Sequence, residues 1–351
     1  MRRVCAVAVS LCLLSGCSAH IWEPYRRQMD DISLLRVVGV DAGDAGVELT
    51  AAADPVGEAV GEVLTAQGET LAGAMYATRR QADRYVFYGH VDRLLLGQEQ
   101  ATRGIGPILD CLARDPELGP DCRLWVVRGR AAHVVNGEKG LSRRLEQMER
   151  DMDVPGAGDA MGVLAREGSM WLPALDVVEG NGQTQLQPAG YAVLRNGLLV
   201  GYTDSEGSGG LELFTGGAQG KVVELTVPEV GAVGLTLGQV RLKCQPRFAG
   251  GRLTGLDVVC EITARVAQTP VPLDEGDLAW LVYELEWQQG RCLARVLEQA
   301  QYWDADFVGL EHRARWGECA RSAEISRQWS EVFRDLDIHV SVRGKVERPL
   351  A

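Results

Sequence analysis

Apolar and polar residues alternate along much of this chain, and where alternation stops a helical period takes over. "LLRVVGVDAGDAGVELTAAAD" (34–54) reads as two strands around a Gly/Asp turn. The stretch 55–82 sets Val60, Val63, Leu64, Leu71 and Met75 near helical spacing and predicts a helix. "DRYVFYGHVDRLLLG" (83–97) is strand-like. "IGPILDCLARDPEL" (105–118) is a short helix closed by its own Asp-Pro, and "CRLWVVRG" (122–129) is a strand. Helical runs near 140–151 and 158–167 flank "VPGAG", and "MWLPALDVV" (170–178) is again extended. "YAVLRNGLLVGYT" (191–203) is a hairpin, because Asn196-Gly197 supplies the two left-handed positions that a tight turn needs.

From 221 onward the alternation is cleaner. "KVVELTV", "QVRLKCQPRF" and "LTGLDVVCEITARV" predict strands of an antiparallel sheet. The longest helix then runs from Glu275 to Trp303, with Leu278, Leu281, Val282, Leu285, Leu293, Val296 and Leu297 along one side. "DLDIHVSVRGKV" (335–346) is a last strand. The expected fold is α+β and multi-domain: mixed or antiparallel sheets packed by helices, with the long helix in the C-terminal domain. No internal repeat or low-complexity linker interrupts it.

The first residues follow a different rule. Arg2 and Arg3 precede an apolar run, Val4 to Leu14, which fits a signal-peptide core and is too short to span a bilayer. Leu14-Ser15-Gly16-Cys17 resembles the bacterial lipobox. Small residues there let a peptidase cleft take the backbone extended, and the Cys17 thiol is the nucleophile that accepts a diacylglyceryl group. The expected division is a signal peptide over 1–16, an N-terminal domain over 17–190 with a subdivision near 150 left open, and a C-terminal domain over 191–351. Two acyl chains anchor stably where one does so marginally.

Composition adds one exclusion. The formal net charge is −12, and removing residues 1–16 takes two arginines with it, leaving about −14. Nucleic acid and anionic lipid heads would repel such a body, so membrane attachment has to come from the lipid anchor. No later stretch is long and apolar enough to cross a membrane. Of nine cysteines, six would remain beside the acylated Cys17: Cys111, Cys122, Cys244, Cys260, Cys292 and Cys319. An exported chain permits disulfides, and Cys244 and Cys260 flank the Gly250-Gly251 turn closely enough to face each other; six free thiols are the open alternative.

Catalytic signatures are missing. There is no G-x-S-x-G, no HExxH and no Walker A, and "GSGG" (207–210) lacks the following Lys-Ser/Thr of a phosphate cradle, which leaves a loop or helix start. The histidines His20, His90, His133, His312 and His339 carry no i+3 or i+4 partner, and no CxxC occurs, so no metal site or cofactor is expected. Asp151 and Asp153 read as a solvated pair. Trp280, Trp287, Trp303, Trp316 and Trp329 lie at helical spacings and are expected to pack in the core.

Three stretches carry a resemblance. Residues 84–129 set an aromatic strand (Tyr85, Phe87) before Gly89-His90, then Gly97, then Arg114-Asp115-Pro116-Glu117 and an apolar strand. Residues 190–223 hold the Asn196-Gly197 hairpin and a segment from Leu211 to Gly216. Residues 300–346 hold Ala305-Asp306-Phe307-Val308-Gly309, then Trp329 and Phe333, then the final strand. In this order, behind a lipobox, they resemble the Ger(x)C family of spore germination lipoproteins. The resemblance implies a non-enzymatic C subunit of a nutrient germinant receptor. It would be anchored through Cys17 on the outer face of the endospore inner membrane, beside an A-type subunit and a transporter-like B-type subunit. It implies structural roles for Gly89, between closely packed strands, and for His90, satisfied by backbone. The alternatives are a lipid-anchored solute-binding protein of an importer, which needs two α/β lobes, and an envelope hydrolase, which needs an acid/base pair in a cleft.

Overall fold

Two sheets organise the chain. The computed structural model describes residues 32–44, 46–53, 63–137, 140–180 and 183–347; the signal segment and Cys17 lie outside the described residues. The first sheet contains β1 (Ile32–Gly43), β2 (Gly46–Ala53), β3 (Val63–Gly68), β4 (Tyr85–Phe87), β5 (Arg93–Gly97), β6 (Arg123–Val127), β7 (Ser169–Gly180), β8 (Gln183–Arg195) and β9 (Leu198–Tyr202). Its order is β3-β2-β1-β5-β6-β7-β8-β9, with β4 beside the start of β1. The second is β10 (Val222–Val227), β11 (Gly231–Ala249), β12 (Arg252–Gln268) and β13 (Asp337–Glu347), in chain order.

The middle of the first sheet is parallel: β1, β5, β6 and β7 run the same way. That explains the near-continuous apolar runs "RLLLG" and "RLWVV", since a strand covered on both faces has no polar side. Leu94, Leu96, Leu124 and Val126 turn toward α1 (Leu71–Gln81), α3 (Gly106–Arg114) and α6 (Ala157–Glu167). Leu95, Trp125 and Val127 turn the other way, onto α4 (Ala131–Gly137) and α5 (Leu141–Met148). A further short helix, α2 (Gln98–Arg103), follows β5 directly.

Residues 63–68 depart from the expected helix. They form β3, with Leu64 and Ala66 buried between exposed neighbours, and pair antiparallel with β2 from Val47 to Ala52. Ladder hydrogen bonds to β2 outweigh a helical spacing that these few apolar residues satisfied by coincidence. Among the described residues the helix begins at Leu71, where Thr70 caps it by accepting from Gly73 N; residues 55–62 of the expected helix, with Val60, lie outside the described residues. Helix α4 was not expected at all. Its first N–H groups, of Ala131 and Ala132, donate to the buried carboxylate of Asp41 on β1, each at 2.8 Å, so its cap comes from far back in the chain.

The second sheet buries one face. Val258, Cys260, Ile262 and Ala264 of β12 lie under α8 (Glu275–Tyr302) and α10 (Ser322–Val332), while Lys243 and Glu261 pair on the open face. The 28-residue α8 starts with a capping box between Asp274 and Asp277. The sheet is antiparallel from β10 to β12, as expected, and β13 pairs parallel with β12, which makes the sheet mixed. Cys244 sits opposite Val258 and Cys260 opposite Leu242, because Cys260 lies three residues farther from the Gly250-Gly251 turn than Cys244 does and the bulge near Arg247 makes up only one of them; the six described cysteines are free thiols. The "GSGG" segment is the first turns of α7 (Ser205–Thr215), capped by Asp204, so the helix-start reading holds. Asn196 and Gly197 have φ of 51° and 77°, as a tight hairpin of this kind requires.

Candidate functional site

A cavity of about 880 Å³ opens between the two halves. One wall is α6 with the start of β7; the other is β11 with α9 (Leu310–Gly317). Phe307, Val308 and Gly309, the end of the Ala305–Gly309 segment, line it as well. Asp306 caps α9, accepting from Leu310 N at 2.7 Å and Glu311 N at 2.8 Å. Glu167, at the end of α6, reaches the same helix start: a Cβ on Gly309 would lie 3.6 Å from its Oε2. A helix N-terminus favours negative charge, and two carboxylates share this one.

Burial pushes the Asp306 carboxyl up to about 6; its two backbone donors oppose the rise, and Glu167 and Glu311 add to it. The folded protein therefore holds a proton that the unfolded chain has lost between about pH 4 and pH 6. The contribution of this group is present below the unfolded value and fades as pH rises through 6. Asp306→Asn is expected to flatten the change of stability with pH across that window by on the order of 2 kcal/mol, read from urea unfolding at a series of pH values. An unchanged slope would contradict the assignment.

The cavity's side chains offer no nucleophile paired with a base. Cys244 lies in its wall, and burial pushes its thiol up to about 11, which keeps it protonated. Among the described residues no three His, Cys, Asp or Glu side chains gather as a metal set. His312 lies beside Trp316, ring centroids 5.8 Å apart.

Three tryptophans expected in the core are outside it. Trp280 is 40% exposed, Trp287 49% and Trp316 73%; Trp329 alone of those on the C-terminal helices is fully buried, stacked on Phe333. On α8 the inward stripe is Leu281, Leu285, Leu293 and Val296, and at 3.6 residues per turn Trp280, Tyr283 and Trp287 fall on the opposite side. The leucine stripe alone carried that signal. Trp280 Nε1 donates to Thr226 O at 3.1 Å and Arg291 lies over the Trp287 ring, so the aromatic row is ordered.

The motif residues of the first half serve the fold. Glu117 accepts from Tyr88 N at 2.9 Å and pairs with Arg79 at 2.8 Å, while Asp115 caps the turn below it. Gly89 and His90 sit exposed in the turn between β4 and β5, and His90 lies edge-on to Phe87. The close approach at Gly89 comes from the Phe87 ring, whose Cζ a Cβ there would meet at 2.4 Å, and not from a second strand; His90 stands exposed, without the backbone partner expected of it among the described residues. Asp151 and Asp153 are solvent-exposed, as expected.

Comparison with known proteins gives the same order of parts. Residues 25–153 match the spore germination protein N-terminal domain, and residues 189–349 match the C-terminal domain described as spore germination B3/GerAC like. The chain belongs to the Ger(x)C family of spore germination proteins. One relative is YfkR of Bacillus subtilis (strain 168), whose name assigns it to spore germination; it is 20% identical, over 96% of this chain and 94% of its own. The crystal structure of the GerBC protein superposes with a TM-score of 0.61 at 18% identity, over 88% of this chain and 96% of that one, so the α+β architecture is shared. No described helix is long and apolar enough to cross a membrane.

Proposed function

We propose that this chain is a non-enzymatic, lipid-anchored subunit of a spore germinant receptor, held through Cys17 on the outer face of the endospore inner membrane. It works there beside an A-type and a B-type membrane subunit. The observation that carries this reading is the two Ger(x)C domains in order behind Leu14-Ser15-Gly16-Cys17. The acidic body gives the anchor its purpose: it has no electrostatic attraction to anionic lipid, so two acyl chains must supply the attachment.

Deleting the gene in its spore-forming host and complementing with wild type or Cys17→Ala tests this. The wild-type chain is expected in the spore membrane fraction, and it should restore germination to one class of nutrient. Cys17→Ala is expected in the soluble fraction and should restore little or none. Normal germination of the deletion, or membrane retention of the Cys17 variant, would overturn the proposal.

A further inference from the structure

Helix α8 is apolar on two sides. Its leucine stripe faces the core, and a second row runs along the opposite side: Trp280, Tyr283 and Trp287, then Gly290, Arg291 and Ala294. Steps of three and four residues keep this row on one face of the helix. A surface helix ordinarily turns polar side chains outward, and an exposed patch of two tryptophans and a tyrosine marks an interaction surface. The row is already held in place. Trp280 Nε1 donates to Thr226 O on the edge strand β10, the Trp280 and Tyr283 rings lie 5.9 Å apart, and Arg291 lies over the Trp287 ring. Covering it therefore costs little further side-chain ordering.

The row is large at one end and small at the other. The rings occupy its N-terminal half, and Gly290 and Ala294 leave a gap in its C-terminal half. Charge divides the same way. Glu284 stands beside the rings, half-buried and with no ion-pair partner among the described residues, while Arg291 stands beside the gap and pairs with Glu206 of α7 through Nη2. A helix face that changes along its length from large and acidic to small and basic complements itself when turned end for end. A two-fold axis at Trp287 sets that ring against its own copy, Tyr283 opposite Arg291, Trp280 opposite Ala294, and Glu284 opposite Gly290 and next to Arg291. Anionic lipid fits less well, because Asp274, Asp277 and Glu284 flank the rings. We propose that two copies of this chain pack through α8, antiparallel, about a two-fold axis at Trp287. The interface goes beyond the receptor role and does not depend on it, because association is read on the purified chain whether or not germination responds.

The test is sedimentation equilibrium of the full chain in density-matched detergent. The wild type is expected at twice the mass of one chain, in a proportion that does not fall as detergent is added, so that shared micelles are not the cause. Trp287→Glu sets like charges on the axis and Ala294→Trp fills the gap that receives Trp280; each should weaken association about tenfold or more. Glu284→Arg alone and Arg291→Glu alone should each weaken it about tenfold, since two-fold symmetry counts every change twice, and the two together should restore it. Positions 284 and 291 lie two turns apart on one helix, so recovery reports a contact between copies; the local effect on Glu206 is the same in the single and the double variant. Tyr302→Glu, at the far end of the same helix and 80% exposed, should change nothing. Circular dichroism checks that each variant folds. A monomeric wild type, which would leave the face to lipid or to a different protein, would overturn the proposal. So would a dimer indifferent to Trp287→Glu, a double reversal that fails to recover, or an equal loss in Tyr302→Glu.

Discussion

Glu149→Ala is expected to destabilise the protein by about 3–5 kcal/mol. Glu149, just after α5, holds Arg93 of β5 through two hydrogen bonds of 2.7 Å each, and the two side chains are only 7% and 6% exposed. Truncation removes the better of two acidic partners from a guanidinium set among buried strands. Asp92, at 2.9 Å but 39% exposed, offsets part of the loss. The cost lies in the stranded charge, not in the pair, so Glu149→Leu combined with Arg93→Met should recover much of it. Urea unfolding of the two variants and of Asp110→Ala reads the effect. Asp110 pairs with Arg114 in the open, at 60% and 77% exposure, and its loss should stay within about 1 kcal/mol. Equal effects at the two sites would refute the buried-charge account.

Gly210→Ala pits local propensity against packing. Alanine improves on glycine inside a helix by about 1 kcal/mol, so sequence rules alone expect a gain. The structure expects the reverse. A Cβ on Gly210 would stand 2.1 Å from the Cys292 carbonyl oxygen and 2.7 Å from Val296 Cγ1, both on α8. Helices α7 and α8 would have to part, opening a core that includes Leu211, Leu293 and Val296. A net loss of about 2–3 kcal/mol is expected, read as a lower thermal midpoint. Gly106→Ala, at a helix start with nothing within 4 Å of the new methyl, should be neutral or slightly stabilising. A stabilised Gly210→Ala would mean that the two helices slide freely over each other.

The same two positions show what could be read from sequence and what could not. The long helix was legible because its own leucines repeat on one side, and the Asn196-Gly197 turn because its chemistry is complete within two residues. Helix α4 was not, since its cap is Asp41 on another strand, and β3 was not, since its partner β2 decides its state. The glycines of α7 left a loop or a helix start open, and nothing in them announced the helix they press against. The cavity is the extreme case. Glu167 and Asp306 meet at one helix start although neither carries any mark of the other in its local sequence. The family motif Ala305 to Gly309 pointed to that spot without saying what it builds.

The parallel pairing of β13 has a consequence for the order in which the molecule is made. A ribosome or an export channel delivers the chain from its first residue. Strand β12 is complete at Gln268, yet the partner for its other edge, Gly255 to Arg265, does not exist until Glu347 has emerged. Three helices, including α8, must come out in between. Throughout that interval β12 offers unpaired backbone groups beside Val258, Cys260 and Ile262, the kind of edge that recruits a second strand from another chain. The second half of the protein therefore has no finished intermediate during its own synthesis: a chain cut short anywhere in α8, α9 or α10 keeps an open edge.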